Sequence, residues 1–270
     1  MYVVFGATGN TGKVVAERLE AAGKQVKKLR RNAPRLDDVA ALTQALEGAE
    51  GAYVMLPPDL KTDAYLAERK VWADAIAAAV KAAKVPHVVF LSSLGAQHEA
   101  GTGPIRALHH GEKVLADAAP ATTFVRAGYF AENFAGVFPV AQKDGVLPHF
   151  GAIDYRFPVI ASKDIGAYAA QALLEGGKGH RIVDLVGPVE VSAEDVAAAV
   201  GELLGKPIKA VAAPLDAIVP TFTSMGASKD MAGLYHEMIS GMGKGLVAPT
   251  QPLTRGKTPV KDVFAPILGK

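Results

Sequence analysis

The chain has 270 residues, half of them hydrophobic and 21% charged, so it is long enough to bury a sizeable core. Its formal net charge of +2 gives no general signature of polyanion binding, and we expect no nucleic acid partner. The absence of cysteine excludes disulfides, thiol nucleophiles and thiolate metal sites.

The sequence shows no targeting or membrane-spanning pattern. The first predicted strand begins at residue 2 without a basic leader and an apolar signal segment, and no apolar run reaches about 18 residues. We therefore expect a cytoplasmic protein that does not interact with membranes.

The first predicted strand, residues 2–5, runs directly into three glycines and a helix predicted at residues 13–22. In a dinucleotide-binding turn the first glycine makes the tight reversal, the second admits the pyrophosphate, and the third lets the helix pack close to the sheet. The alternative is a glycine-rich turn that binds nothing. We expect cofactor contacts from every residue of this turn except residue 7, that is, from Gly6, Thr8, Gly9, Asn10, Thr11 and Gly12.

Short apolar runs then alternate with longer helical patterns, which is typical of crossover units feeding a parallel sheet. Further strands are predicted at residues 25–29, 52–56, 87–91, 122–125 and 181–186. Further helices are predicted at residues 39–46, 63–83, 105–118 and 163–174. The pattern predicts an α/β fold with a doubly wound parallel Rossmann sheet covered on both faces.

Two later segments depart from this alternation. Residues 128–158 are rich in Phe, Gly and Pro and have no long period, so they predict either a pocket wall or plain core. After residue 186, Ser192 can cap a helix at 193–204 that Gly205 ends, and helices follow at 215–225, 229–242 and 258–268. We therefore expect a dinucleotide-binding domain at 1–186, with 130–158 in the pocket wall, and a smaller substrate lobe at 187–270.

Four segments together resemble NmrA-like proteins, atypical relatives of the short-chain dehydrogenases and reductases. They are residues 6–12 (GATGNTG), 90–95 (FLSSLG), 123–133 (TFVRAGYFAEN) and 164–166 (DIG). Members of this family bind NAD(P) on a Rossmann domain, and they include NADPH-dependent quinone reductases and non-catalytic redox sensors. The resemblance covers most of the chain and implies cofactor binding more directly than any one reaction.

Arg30 and Arg31 follow the second strand, where a dinucleotide fold places the adenosine ribose. A guanidinium there favours the 2′-phosphate of NADP through paired hydrogen bonds. Arg31 aligns with the arginine that NmrA-like proteins use for this contact, so we expect NADP(H) as the cofactor. The alternative is a solvated basic face over residues 27–31.

Pro57, Ser92 and Ser93 follow or end the third and fourth strands, which face the nicotinamide half of the cofactor in doubly wound folds. We expect these residues to line the cofactor site. Alternatively, the prolines at 57 and 58 only terminate a strand and the serines only cap or turn.

The tyrosine and lysine pair of ordinary short-chain dehydrogenases is missing from this chain. The corresponding segment, residues 107–113 (ALHHGEK), places His109 four residues before Lys113, and a histidine can protonate a carbonyl or quinone oxygen. His110 is a competing candidate, although it points about 100° away on the helix. Packing or solvation of the helix by the two histidines is the alternative.

Tyr129, with Phe130 and Asn133, matches a family segment near the nicotinamide and substrate cleft. Tyr129 could stack on a flat substrate or donate a proton, and aromatic packing is the alternative. No metal-binding His-Glu-x-x-His motif, Gly-x-Ser-x-Gly elbow or phosphate-binding loop for nucleotide hydrolysis occurs, and we expect no metal.

The chain departs from the family pattern between residues 31 and 37, where one strand-and-helix unit is missing. Arg35 stands where an acidic residue near the adenine is expected. The missing strand would lie at the sheet edge, so its loss leaves the second strand unpaired unless a loop or a homodimer partner covers it.

These features predict an NADPH-dependent reductase of a small quinone-like or carbonyl acceptor. The alternative is a non-catalytic NADP(H)-binding redox sensor, and a fold that has lost cofactor binding is a third interpretation. The reductase hypothesis makes a small-molecule acceptor the expected partner, whereas a sensor would report the NADPH/NADP ratio to a partner.

Overall fold

The structure is a computed structural model that describes residues 1–30 and 33–270. Its described strands are β1 (Tyr2–Phe5), β2 (Val26–Leu29), β3 (Gly51–Val54), β4 (His87–Ser93), β5 (Ala121–Ala127), β6 (Tyr129–Phe130), β7 (Val146–Phe150), β8 (Phe157–Ile160), β9 (Gly179–Val186), β10 (Glu190–Val191), β11 (Lys209–Ala213) and β12 (Leu253–Arg255). Its described α-helices are α1 (Asn10–Ala21), α2 (Val39–Leu46), α3 (Tyr65–Ala82), α4 (Arg106–Ala116), α5 (Phe138–Asp144), α6 (Ser162–Glu175), α7 (Ala193–Leu204), α8 (Ile218–Ser224), α9 (Lys229–Gly243) and α10 (Val260–Ile267). Short 3₁₀ segments occupy Gly103–Ile105, Ala131–Val137 and Leu215–Ala217.

Seven of the described strands form the central sheet, in the order β12-β9-β5-β4-β3-β1-β2. All neighbouring strands in this sheet are parallel. The carboxyl ends of β1, β3, β4 and β5 therefore lie along one edge, which is where open α/β sheets bind their ligands. This arrangement confirms the predicted doubly wound parallel sheet.

The central sheet is covered on both faces because alternate residues of each strand point to opposite sides. In β1, Val3 and Phe5 join a core with residues of α2, α3 and α4, whereas Tyr2 and Val4 join a core with residues of α1 and α6. Val3 and Val4 have no exposed surface. Burying each such side chain contributes about 1.5–3 kcal/mol, so two cores hold the sheet and position the loops at its edge.

A third core lies outside the central sheet and joins residues 131–161 with residues 191–268. Phe134, Phe157, Val196 and Phe264 are buried together there. Strands β6, β8 and β10 form a small sheet, and β7 pairs with β11. Residues 128–158, in which the sequence shows no long period, thus contribute short strands to these two sheets. The domain boundary expected at residue 187 stays a prediction, because this core contains residues from both sides of that boundary.

The second strand lies at the edge of the central sheet. No described strand pairs with the outer side of β2, which agrees with the predicted loss of a strand-and-helix unit. Lys27 Nζ donates to the Gln44 carbonyl oxygen at 3.4 Å, and Lys28 Nζ pairs with Glu20 at 2.8 Å. Charged side chains of this kind discourage an edge from pairing with another chain.

Two kinds of feature are absent from residues 1–30 and 33–270, the part of the chain that the structure describes. No helix in these ranges is long and apolar enough to cross a bilayer. Nor do these ranges contain a group of three or more His, Asp or Glu side chains that could hold a metal ion.

Candidate cofactor and acceptor site

The turn between β1 and α1 requires at least two of its three glycines. Gly6 has a φ of +63°, in the left-handed region, and a Cβ there would lie 3.0 Å from Met55 Sδ. A Cβ on Gly12 would lie 2.4 Å from the Gly6 carbonyl oxygen, so only glycine lets α1 pack this close to β1. Among the described atoms, a Cβ on Gly9 would meet only that oxygen, at 3.4 Å, which leaves the space in front of Gly9 open.

The first turn of α1 offers backbone donors to an anion. Gly9 precedes the helix in an extended conformation and supplies no side-chain cap, and Thr8, Gly9 and Asn10 are exposed. The first N–H groups of a helix lack partners within it and lie at the positive end of its dipole. The open backbone at Gly9 and these donors fit the pyrophosphate of a dinucleotide.

Thr11 differs from its neighbours in the turn because its side chain is buried. The hydroxyl of Tyr53 donates to Thr11 Oγ1 at 2.8 Å, and both side chains lie inside the fold. Burial raises the pKa of Tyr53, so its phenol keeps the proton that it donates. A cofactor contact from Thr11 must therefore come from its backbone.

The basic residues predicted to select the cofactor follow β2. Arg30 is exposed there, and Arg31 lies outside the described residues, so its contact with a 2′-phosphate stays a prediction. Arg35 pairs with Asp37 at 2.6 Å. Their hydrogen bond raises the pKa of Arg35 and lowers the pKa of Asp37. The positive charge of Arg35, near the expected adenine position, is thus partly balanced by its neighbour.

A buried arginine holds the loop that follows β3. Arg69 Nε donates to the Pro57 carbonyl oxygen at 2.9 Å, and Arg69 Nη1 pairs with Glu68 at 2.8 Å. The guanidinium carbon lies 4.4 Å from the ring centre of Tyr65 and 4.1 Å from that of Trp72. Ring contacts and the ion pair offset the cost of burying this charge. The position of the Pro57 backbone is therefore set from inside the fold.

The two serines at the end of β4 have different surroundings. Ser92 Oγ donates to Glu112 Oε1 at 2.6 Å, and Arg126 donates to both oxygens of Glu112, at 2.9 and 2.6 Å. All three side chains are buried, so Ser92 belongs to a core network, and its predicted cofactor contact can involve only its backbone. Ser93 Oγ donates to the Leu94 carbonyl oxygen at 2.9 Å, and Ser93 lines a cavity.

This cavity has a volume of about 150 Å³ and lies between the ends of β4 and β5 and helix α9. Its wall is mostly apolar, with a few hydroxyl and amide groups. The lining residues are Ser93, Leu94, Pro104, Ile105, Gly128, Tyr129, Phe130, Asn133, Phe157, Pro158, Tyr235, Met238, Met242 and Val247. An apolar wall with few polar groups, beside the carboxyl ends of parallel strands, is typical of a small-molecule site.

Tyr129 brings a phenol to the cavity wall. Its ring contacts Phe134 and Phe157 edge to face, at centroid distances of 5.5 and 5.7 Å. Burial is the main cause of a raised pKa for Tyr129, Tyr235 adds to the rise, and a hydrogen bond with Asn133 opposes it. Because this phenol keeps its proton at neutral pH, it is suited to donate a hydrogen bond and poorly suited to release a proton.

Neither predicted catalytic histidine lines the cavity. His109 Nδ1 lies 2.9 Å from the Ala96 carbonyl oxygen, to which it donates. His110 Nε2 lies 2.6 Å from Asp74 Oδ1 on α3, since it points about 100° around α4 from His109. Lys113 is exposed. His110 thus makes a contact between helices, His109 lies outside the cavity wall, and proton transfer by either histidine stays a prediction.

Three cavity residues on α9 were not predicted from the sequence. Tyr235, Met238 and Met242 are spaced three and four residues apart, so they share one face of the helix. The Tyr235 ring stacks on Phe222 of α8 at a centroid distance of 4.7 Å, and burial raises the pKa of Tyr235. The spacing is visible in the sequence, but the docking of α9 beside β4 and β5 depends on contacts between distant segments.

Comparison with known proteins places this site in context. Residues 2–240 match the NmrA-like family. The chain is 26% identical to an NAD(P)H azoreductase from Xenophilus azovorans, over 88% of this chain and 86% of that protein. It is 25% identical to Quinone oxidoreductase 2 from Escherichia coli strain K12, over 91% of this chain and 89% of that protein.

A solved structure shows the same fold at lower identity. It is the triphenylmethane reductase from Citrobacter sp., complexed with NADP(H), with a TM-score of 0.78 and 17% identity. The match covers 98% of this chain and 99% of that chain. The fold is therefore shared over nearly the full length of both proteins.

Proposed function

The chain belongs to the NmrA-like family, and on that premise we propose that it is an NADPH-dependent reductase of a small quinone-like or carbonyl acceptor. The position of the cavity carries the proposal, because Ser93 and Gly128 line it at the same sheet edge as the turn of residues 6–12. Two relatives, an NAD(P)H azoreductase and a quinone oxidoreductase, support this class of reaction.

The chain's own residues would bind the cofactor and orient it. The turn around Gly9 would bind the pyrophosphate, and Arg30 and Arg31 would bind the 2′-phosphate that distinguishes NADPH from NADH. Pro57 and Ser93 would border the nicotinamide half. When bound, NADPH supplies the hydride, and the protein supplies the orientation that makes the transfer fast.

The cavity would hold the acceptor in an environment with little water. Tyr129, Phe157 and Met238 form parts of its wall that suit a flat, conjugated ring. Tyr129 Oη would donate a hydrogen bond to an acceptor oxygen, a contact that strengthens as negative charge develops on that oxygen. The raised pKa of Tyr129 keeps this donor protonated.

The test begins with a calorimetric titration of the cofactor-free protein with NADPH, NADP⁺, NADH and NAD⁺. We expect preference for the phosphorylated pair and loss of that preference in Arg31→Ala. An acceptor screen with quinones and carbonyls should then show acceptor-dependent oxidation of NADPH. Failure of every acceptor to stimulate this oxidation would refute the reductase.

A non-catalytic NADP(H) sensor is a second candidate, favoured by the absence of His109 and His110 from the cavity wall and by the exposure of Lys113. A sensor must bind reduced and oxidised cofactor with different affinities, because a ligand shifts a conformational equilibrium only by its differential affinity for the two states. Equal affinities for NADPH and NADP⁺ would exclude this role.

A further inference from the structure

Helix α9 lines the acceptor cavity and is hydrogen-bonded at its N-terminus to the cofactor-side loop, which we define as residues 55–64. Ser228 Oγ donates to the Thr62 carbonyl oxygen at 2.6 Å, and the Ser228 backbone N–H donates to the Leu60 carbonyl oxygen at 2.8 Å. Just past the loop, the Tyr65 backbone N–H donates to Asp230 Oδ2 at 3.0 Å. Three hydrogen bonds thus join the start of α9 to this loop and the first residue of α3.

The other end of the cofactor-side loop contacts the dinucleotide turn. The Met55 side chain lies against Gly6, where an added Cβ would come within 3.0 Å of Met55 Sδ. The Pro57 carbonyl oxygen is held by Arg69 from inside the fold. A ligand bound on the turn of residues 6–12 would therefore restrain a loop whose far end is bonded to α9.

Ser228 is well placed to pass that restraint to the helix. Its hydroxyl oxygen also accepts from the Met231 backbone N–H at 3.0 Å, as the N-cap of α9. One hydroxyl thus bonds the loop and begins the helix. Tyr235 follows about two helical turns later on the same rigid element, with Met238 and Met242 beyond it.

We propose that Ser228 and Asp230 are positioning residues that make cofactor binding order the acceptor cavity. This inference rests on the proposed function, since it needs NADPH or NADP⁺ on the turn of residues 6–12. Cofactor binding would fix the loop, the loop would fix the start of α9, and α9 would fix the cavity wall formed by Tyr235. By linkage, an acceptor in the cavity would strengthen cofactor binding by the same factor.

The chain contains a matched control for Ser228. Ser192 is the N-cap of α7, and its hydroxyl accepts from the Asp195 backbone N–H at 3.2 Å and donates to Asp195 Oδ2 at 3.0 Å. Within the described residues, these side-chain bonds stay inside its own helix turn. Ser192→Ala and Ser228→Ala therefore both remove a helix cap, but only Ser228→Ala removes a bond to the cofactor-side loop.

Amide hydrogen exchange with and without saturating NADP⁺ tests the inference on the full chain. In the parent protein and in Ser192→Ala, NADP⁺ should slow exchange severalfold at residues 6–12, 55–64 and 229–242. In Ser228→Ala and Asp230→Ala the slowing should persist at 6–12 and 55–64 and be reduced at 229–242, because each variant removes one of the three bonds. Ser228→Thr keeps the hydroxyl and should restore it.

Two results would overturn the inference while leaving the proposed function intact. One is slowing at residues 6–12 and 55–64 of the parent protein without slowing at 229–242. The other is the same slowing at 229–242 in Ser228→Ala as in Ser192→Ala. If NADP⁺ slows exchange at none of these segments, the proposed function fails, and this inference fails with it.

Discussion

At the scale of single residues, the glycines of the first turn have separable tasks. A Cβ on Gly12 would overlap the Gly6 carbonyl oxygen at 2.4 Å, whereas a Cβ on Gly9 would meet that oxygen at an ordinary contact distance of 3.4 Å. We predict that Gly12→Ala lowers the free energy of unfolding by about 1–3 kcal/mol or more, because the backbone atoms that the new Cβ would overlap must move away. Gly9→Ala should keep its stability within about 1 kcal/mol and lose at least about tenfold in NADPH affinity.

Urea unfolding and calorimetric titration of the two variants measure these effects. Gly9 has a φ of −87°, which any residue adopts, so strain does not complicate the comparison. A Gly9→Ala protein that binds NADPH as tightly as the parent would contradict the placement of the pyrophosphate.

Tyr129 gives a prediction about pH. Because burial raises its pKa, the phenol stays protonated as pH rises, and kcat/KM for the acceptor should show no fall between pH 7 and about pH 10 from this group. Tyr129→Phe should lower kcat/KM by roughly tenfold or more, since a hydrogen bond to a charged oxygen contributes about 1.5–3 kcal/mol. An alkaline limb below pH 9 that disappears in Tyr129→Phe would show that the tyrosine gives up its proton.

At the scale of elements, a buried ion pair holds α4 against the end of the sheet. Glu112 of α4 bonds Arg126 of β5 at 2.6 Å, and Ser92 of β4 donates to the same carboxylate. We predict that Glu112→Gln lowers the free energy of unfolding by about 3–5 kcal/mol, because it leaves the Arg126 charge buried without its counter-ion.

An exposed pair supplies the control for this prediction. Lys13 and Glu17 lie 3.8 Å apart on the surface of α1, with side chains 67% and 56% exposed. Glu17→Gln should change the free energy of unfolding by less than about 0.5 kcal/mol. Equal effects of the two substitutions in urea unfolding would mean that the network around Glu112 does not hold α4.

A buried histidine, His87, lies at the start of β4, at the sheet edge opposite the cavity. Burial, with Arg181 nearby, lowers the pKa of His87 to about 4, against about 6.5 when unfolded. Between these values the unfolded chain binds a proton that the folded chain does not, so the free energy of unfolding falls as pH falls from about 6.5 to about 4.

Urea unfolding at pH 7 and pH 5 measures this slope. His87→Gln should make the slope shallower, and His149, whose pKa burial also lowers, contributes to the slope that remains. The same slope in the parent and in His87→Gln would show that another group is responsible.

The sequence predicts best those elements whose ends are marked by local chemistry. The predicted bounds of α2 and α7 match the observed ones, and Ser192 and Gly205 mark the ends of α7 as predicted, Gly205 with a φ of +66°. In the structure Asp38 caps α2 with a side-chain hydrogen bond. The sequence assigned residues 10–12 to the glycine turn, whereas in the structure they form the first turn of α1. The helix therefore begins three residues earlier than predicted. Strands β11 and β12 were not predicted, and most of their residues are exposed, so neither forms the buried apolar run that marks a central strand.

At the scale of the whole molecule, the glycine turn after β1 could be predicted from the sequence, whereas the assembly of the cavity could not. The turn around Gly9 is one continuous segment, so its chemistry can be recognised without knowing the fold. The cavity needs Ser93, Tyr129 and Tyr235 from three distant segments to meet. Ser92 donates to Glu112, which lies 20 residues further along the chain, so this contact likewise depends on packing between separate segments.

The central claim is that this chain transfers hydride from NADPH to an acceptor held in the cavity beside Ser93. The most direct test is steady-state oxidation of NADPH with a series of quinones, comparing the parent protein with Met238→Trp, which fills the cavity. Met225→Trp is the control, since Met225 is 69% exposed and does not line the cavity. We predict acceptor-dependent oxidation in the parent and in Met225→Trp, and a loss of at least about tenfold in kcat/KM for the quinone in Met238→Trp with NADPH affinity retained. Absence of acceptor-dependent oxidation in the parent, or equal rates in the two tryptophan variants, would contradict the account.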